Sequence, residues 1–121
     1  MDRLLSGRRI LVVEDEMMVL MMIEDMLADL GCEAVVVAAT TEGALDLINA
    51  QVFDAVMLDL NLNGTRSRSI ADLLVAHGVP FIFSTGYSSP NMMDGYLDRP
   101  ILKKPFHFEE LAAVLARLLT R

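Results

Sequence analysis

Tryptophan is absent from this chain of 121 residues, and aromatic residues make up only 6% of it. With apolar residues at 54%, the composition suits an aliphatic core, as in layered α/β folds, and argues against disorder. A single cysteine, Cys32, rules out an internal disulfide and fits a reducing compartment. Beside Gly31 near a predicted helix end, it reads as a structural thiol rather than a nucleophile. Basic residues are outnumbered 10 to 17 by acidic ones, and the net charge of −7 argues against non-specific binding to nucleic acid or anionic membrane. Long apolar runs are missing too. The longest, Met17–Ile23, falls far short of the roughly 20 residues that span a bilayer. The opening "MDRLLSGRR" lacks the apolar stretch of a signal peptide. Together these absences predict a soluble, cytoplasmic single domain over residues 1–121 with no output domain attached.

What the chain does contain is alternation. The runs "ILVV", "AVVV", "AVML" and "FIF" are continuously apolar, the pattern of strands covered on both faces of a parallel sheet. They place strands at Arg9–Val13, Glu33–Ala38, Ala55–Leu58 and Phe81–Ser84, with a fifth at Ile101–Lys103. Helical patterns fall between them at Glu16–Leu30, Thr41–Ala50, Arg68–Ala76 and Phe108–Leu119, with a weak one near Asn91–Leu97. Gly31 and Gly78 stand where helices should stop, and Thr40 or Thr41 where one should start. Five β-α units in this length predict a doubly wound, five-stranded parallel α/β sheet with strand order 2-1-3-4-5.

Such sheets bind ligands beyond the carboxyl ends of the strands, where the order reverses. The first strand ends there in Glu14-Asp15 and the third in Asp59. Crowded carboxylates repel unless a cation compensates, and all-oxygen donors suit Mg²⁺ before Ca²⁺. For Glu16 the expectation is simpler: a charge favoured by the dipole of the following helix. The fourth strand delivers Thr85 beside Gly86, and the fifth brings Lys103 and Lys104 to the same edge. A carboxylate nucleophile, Mg²⁺, a hydroxyl and an ammonium describe a site that accepts a phosphoryl group: Asp59 attacking in line, cations neutralising the equatorial oxygens, Thr85 bonding the product.

On Glu14-Asp15, Asp59, Thr85-Gly86 and Lys104-Pro105, the whole chain resembles the receiver domain of two-component response regulators, a flavodoxin-like fold. The resemblance implies phosphorylation of Asp59 by a histidine kinase or histidine phosphotransfer protein. It implies Mg²⁺ held by Asp15, Asp59 and the main-chain carbonyl of Asn61, with Glu14 acting through water. It also implies a cis Lys104-Pro105 peptide, and autodephosphorylation tuned at Asn61. Lys104 is chosen over Lys103 because proline follows it, and strand alternation turns Lys103 to the other face.

The chain departs from that family in three places. Asn63-Gly64 replaces the usual proline four residues after the acceptor, so "LNGTRSRS" is expected to be a mobile loop with a turn there. Ile101 occupies the position of the usual switch aromatic. "FSTGY" resembles a subgroup with a Phe-Ala-Thr-Gly-Tyr run, whose members lack that aromatic and often stand alone; Tyr87 is either a substitute switch or an exposed loop ring.

A helical wheel puts Val19, Ile23, Met26, Leu27 and Leu30 against the sheet and turns Met17, Met18 and Met21 outward. Those methionines are either a docking face for a helix of the phosphodonor or surplus hydrophobicity. Arg66 and Arg68 read as solvated loop charges, His77 as a helix-end residue, and His107 as too isolated for a metal site. The function expected is a phosphoryl-operated switch that signals to a downstream protein by contact, or a phosphate sink. A docking pseudo-receiver and an aspartate-nucleophile phosphohydrolase are the competing classes, the latter weakened by Asn61 where an acid is needed.

Overall fold

The computed structural model describes residues 4–62, 65–86, 96 and 99–119. Strands β1 (Arg9–Val13), β2 (Ala34–Ala38), β3 (Ala55–Asp59), β6 (Phe81–Thr85) and β7 (Ile101–Lys103) form one sheet. A short pair, β4 (Asn61–Leu62) and β5 (Thr65–Arg66), lies apart from it. Helices α1 (Met17–Asp29), α2 (Thr41–Ala50), α3 (Arg68–His77) and α4 (Phe108–Leu119) complete the described elements. The large sheet is parallel throughout, in the order β2-β1-β3-β6-β7, which is the expected 2-1-3-4-5.

Alternating side chains divide the core in two. Ile10, Val12, Ala55, Met57 and Ile82 join Ile23 and Leu27 of α1 and Leu111 and Leu115 of α4. Their neighbours Leu11, Val13, Val56, Leu58, Phe81 and Phe83 face Ile48 of α2 and Ile70 and Leu74 of α3. A strand with both faces covered has no polar side to display, which is why these runs read as continuously apolar.

The helix punctuation is as the sequence predicts. Gly31 and Gly78 adopt φ of +90° and +70°, and each closes its helix with paired bonds. After α3, Gly78 N–H donates to Val75 O and Val79 N–H to Leu74 O, a geometry that side chains with a Cβ resist. Thr40 caps α2, its hydroxyl oxygen accepting from Gly43 N–H at 3.0 Å. His107 immediately precedes α4, its N–H donating to Glu110 Oε1 at 2.8 Å. Helix α1 buries Ile23, Leu27 and Leu30 as the wheel requires, and Leu20 with them.

Two expectations need correction. "LNGTRSRS" is not a loop throughout: Asn61 pairs with Arg66 and Leu62 with Thr65 in an antiparallel ladder. Ser67 N–H and Oγ both donate to Leu60 O at 3.1 Å, so the hairpin returns to where it began. Arg68 is exposed, as expected, but not in a loop; it opens α3 with its guanidinium 5.7 Å from the Tyr96 ring centroid. The turn at Asn63-Gly64, the weak helix near Asn91–Leu97 and the role of Tyr87 fall outside the described residues, apart from Tyr96. No helix among the described residues is long and apolar enough to cross a membrane.

Candidate functional site

The crevice forms because three neighbouring strands stop in step. Strand β3 carries Asp59 as its last residue, level with Ser84 of β6, and Thr85 of β6 is level with Lys103 of β7. Strand β1 ends at Val13, and Glu14 N–H then donates to Ala38 O at 3.0 Å, fixing the first acid beside β2. Thr85 O accepts from Lys104 N–H at 2.7 Å, so the hydroxyl residue holds the lysine backbone. The Lys104-Pro105 peptide is cis.

Glu14, Asp15 and Asp59 each offer a carboxylate oxygen within 4.8 Å of the others. Glu14 and Asp59 are buried, Asp15 half-buried. Lys104 enters from the far side, its Nζ 2.9 Å from Glu14 Oε1 and 3.4 Å from Asp59 Oδ2. Burial works against the Lys104 charge, but the bonds and fields of Glu14 and Asp59 overcome it and raise its pKa above the ordinary lysine value. Three acids beside one ammonium leave an excess of negative charge in a half-closed space. All the side-chain donors are hard oxygens, so the residues present fit a small divalent cation such as Mg²⁺.

The structure brings Glu14, Asp15, Asp59, Thr85 and Lys104 to one crevice, and Asn61 starts β4 two residues beyond Asp59. Lys103, level with Thr85, is exposed and turned away from it. For Glu16 the structure adds a contact to the expected helix-start charge. It stands at the N-cap of α1, yet its carboxylate lies 3.6 Å from Lys104 Nζ and its N–H donates to Glu14 Oε2 at 3.1 Å. Both Glu14 oxygens are thus bonded by the protein itself.

The residues outside the crevice sort plainly. Cys32 is buried, its thiol donating to Arg8 O at 3.5 Å, with a pKa pushed up chiefly by burial: a structural thiol. His77 is exposed at the end of α3. Ile101 is 39% exposed on β7. Met17, Met18 and Met21 are 66%, 84% and 56% exposed, as the wheel requires. Sequence reasoning missed Tyr96, a buried ring whose centroid is 6.0 Å from those of both Phe81 and Phe83, and whose hydroxyl donates to Asp72.

Comparison with known proteins gives a consistent result. The solution structure of SdrG from Sphingomonas melonis Fr1 is 40% identical, with a TM-score of 0.84 over 96% of this chain and 98% of that one. A BeF3-activated conformation of SdrG, from Pseudomonas melonis Fr1, is 41% identical, with a TM-score of 0.80 over 92% and 95%. The receiver domain of the sensor histidine kinase PA1611 from Pseudomonas aeruginosa PAO1, which has a magnesium ion coordinated in its active-site cleft, is 28% identical, with a TM-score of 0.78 over 96% and 100%. No curated protein gave a match. The model of the response regulator receiver domain matches residues 10–116, and with that span, this sheet order and this acidic crevice, the chain belongs to the response regulator receiver family.

Proposed function

We propose that the chain is a phosphoryl-accepting switch in which Asp59 takes its phosphoryl group from a histidine kinase or histidine phosphotransfer protein. One observation carries the reading: Glu14, Asp15, Asp59 and Lys104 converge just beyond the carboxyl ends of β1, β3 and β7, at one edge of the sheet. An Asp59 oxygen attacks phosphorus, the bond to the departing imidazole breaks, and an acyl phosphate is left on the aspartate. Lys104 is placed to neutralise the equatorial oxygens, and the Thr85 hydroxyl to donate to the product.

Asp15, Asp59 and the main-chain carbonyl of Asn61 would hold Mg²⁺, with Glu14 behind them. When bound, the ion supplies positive charge that a single ammonium cannot. The magnesium ion in the PA1611 receiver and the BeF3-activated state of SdrG, both receivers of the same fold, support this reading for the present chain.

The phosphorylated chain either signals by protein contact, as a messenger, or drains phosphoryl groups as a phosphate sink. The exposed Met17, Met18 and Met21 on α1, beside the crevice, form the docking face for a helix of the phosphodonor. Acetyl phosphate with Mg²⁺ should add one phosphoryl group by intact mass, and Asp59→Asn or omission of Mg²⁺ should abolish it. If neither acetyl phosphate nor beryllofluoride produced a Mg²⁺-dependent change, the chain would instead be a pseudo-receiver that works by docking alone.

A further inference from the structure

Glu16 stands at the mouth of the crevice with its main chain fixed and its carboxylate in water. Its N–H is bonded to Glu14 Oε2, its side chain is 66% exposed, and its Oε1 lies 3.6 Å from Lys104 Nζ. The side chains that share that ammonium with it are closed off: Glu14 is 1% exposed and Asp59 7%. One cation therefore serves three carboxylates, and of the three Glu16 alone faces solvent. It draws the field of Lys104 outward and sets a negative charge in the path of any anion approaching Asp59.

We propose that Glu16 determines donor specificity, selecting against small, multiply charged phosphoryl donors. The inference rests on the phosphoacceptor reading of Asp59. Two unit charges about 4 Å apart in water change an encounter about five-fold, and a dianion feels twice what a monoanion feels. Salt removes the effect, because the carboxylate is exposed. Acetyl phosphate, a dianion at neutral pH, is therefore opposed more strongly than phosphoramidate, a monoanion. The chemistry at Asp59 is otherwise parallel. With acetyl phosphate the phosphorus–oxygen bond to the acetyl group breaks and acetate leaves with the electron pair; with phosphoramidate the phosphorus–nitrogen bond breaks and ammonia leaves.

The test is the ratio of labelling rates from the two donors, read by intact mass at fixed Mg²⁺, for the unsubstituted chain, Glu16→Gln and Glu16→Lys. At low ionic strength Glu16→Gln should raise the acetyl phosphate to phosphoramidate ratio about three-fold, and Glu16→Lys about ten-fold. Both gains should collapse in about 0.5 M salt. Mg²⁺ titrations followed by amide NMR shifts should show affinity falling from the unsubstituted chain to Glu16→Gln to Glu16→Lys, because the same field acts on the dication with the opposite sign, so the labelling rates are read with each variant saturated in Mg²⁺. A ratio that does not move, or two rates that fall together, would overturn the proposal and leave Glu16 a helix-end charge. Failure of the unsubstituted chain to form any Asp59-dependent adduct would overturn the phosphoacceptor reading beneath it, and this inference with it.

Discussion

The Tyr96 hydroxyl donates to the Asp72 carboxylate, tying the chain between β6 and β7 to the middle of α3. Beneath that bond the ring is packed edge-on against Phe81 and Phe83, with the Arg68 and Arg99 guanidinium groups 5.7 and 5.9 Å from its centroid. Ring and hydroxyl can be separated by substitution. Tyr96→Phe keeps the ring and should cost about 1.5–3 kcal/mol, the worth of a hydrogen bond to a charged acceptor. Tyr96→Ala should cost about 3–5 kcal/mol. Urea unfolding of the two variants measures both, and equal losses would assign the whole effect to the hydroxyl.

The same residue gives a pH dependence with a definite sign. Burial pushes the Tyr96 phenol up, and Asp72 pushes the same way through its hydrogen bond and its charge, against Arg68 and Arg99. The unfolded chain then gives up this proton first. The stabilisation is whole below about pH 10 and is lost as pH rises through the folded-state value. Of the two tyrosines, one should show phenolate absorbance late in a spectrophotometric titration. A Tyr96→Phe variant that kept the late component would assign it elsewhere.

Lys104→Met should destabilise the metal-free protein by about 3–5 kcal/mol, because Glu14, 1% exposed, loses its closest cation. Adding Glu14→Gln to that background should return part of the loss, with a coupling of about 0.5–3 kcal/mol. A denaturant double-mutant cycle without divalent cation reads the coupling directly. Additive losses would mean that the 2.9 Å contact contributes nothing.

Met21→Glu should leave stability within about 0.5 kcal/mol, since the side chain is 56% exposed. Phosphotransfer from a protein donor should slow, while labelling by acetyl phosphate stays as before. Equal rates from the protein donor would remove α1 from the docking face.

Much of this architecture is legible in the sequence because both faces of the central strands β1, β3 and β6 are covered, so each of them announces itself as an apolar run. The strand ends are harder to read. Asp59 and Thr85 extend β3 and β6 by one polar residue each, and only pairing with a neighbour keeps such residues extended. Lys104 was readable as a partner for phosphoryl oxygens but not as the existing partner of Glu14 and Glu16, a contact between opposite ends of the chain. Tyr96 gave no core signal, because the helical pattern near Asn91–Leu97 is weak and the burial of the ring depends on Phe81, Phe83 and α3. The β4–β5 ladder escaped for the opposite reason: two-residue strands are shorter than any period.

Leu60 makes the last point. Its N–H is bonded to Ser84 O at 2.9 Å and its carbonyl accepts from both the N–H and the hydroxyl of Ser67, so the main chain immediately after Asp59 is clamped on both sides. The nucleophile proposed at Asp59 would be mounted on a segment that has surrendered its backbone freedom during folding. What would otherwise be an alignment penalty at each collision with a donor has already been met, and the approach of phosphorus has only the carboxylate's own rotation left to organise.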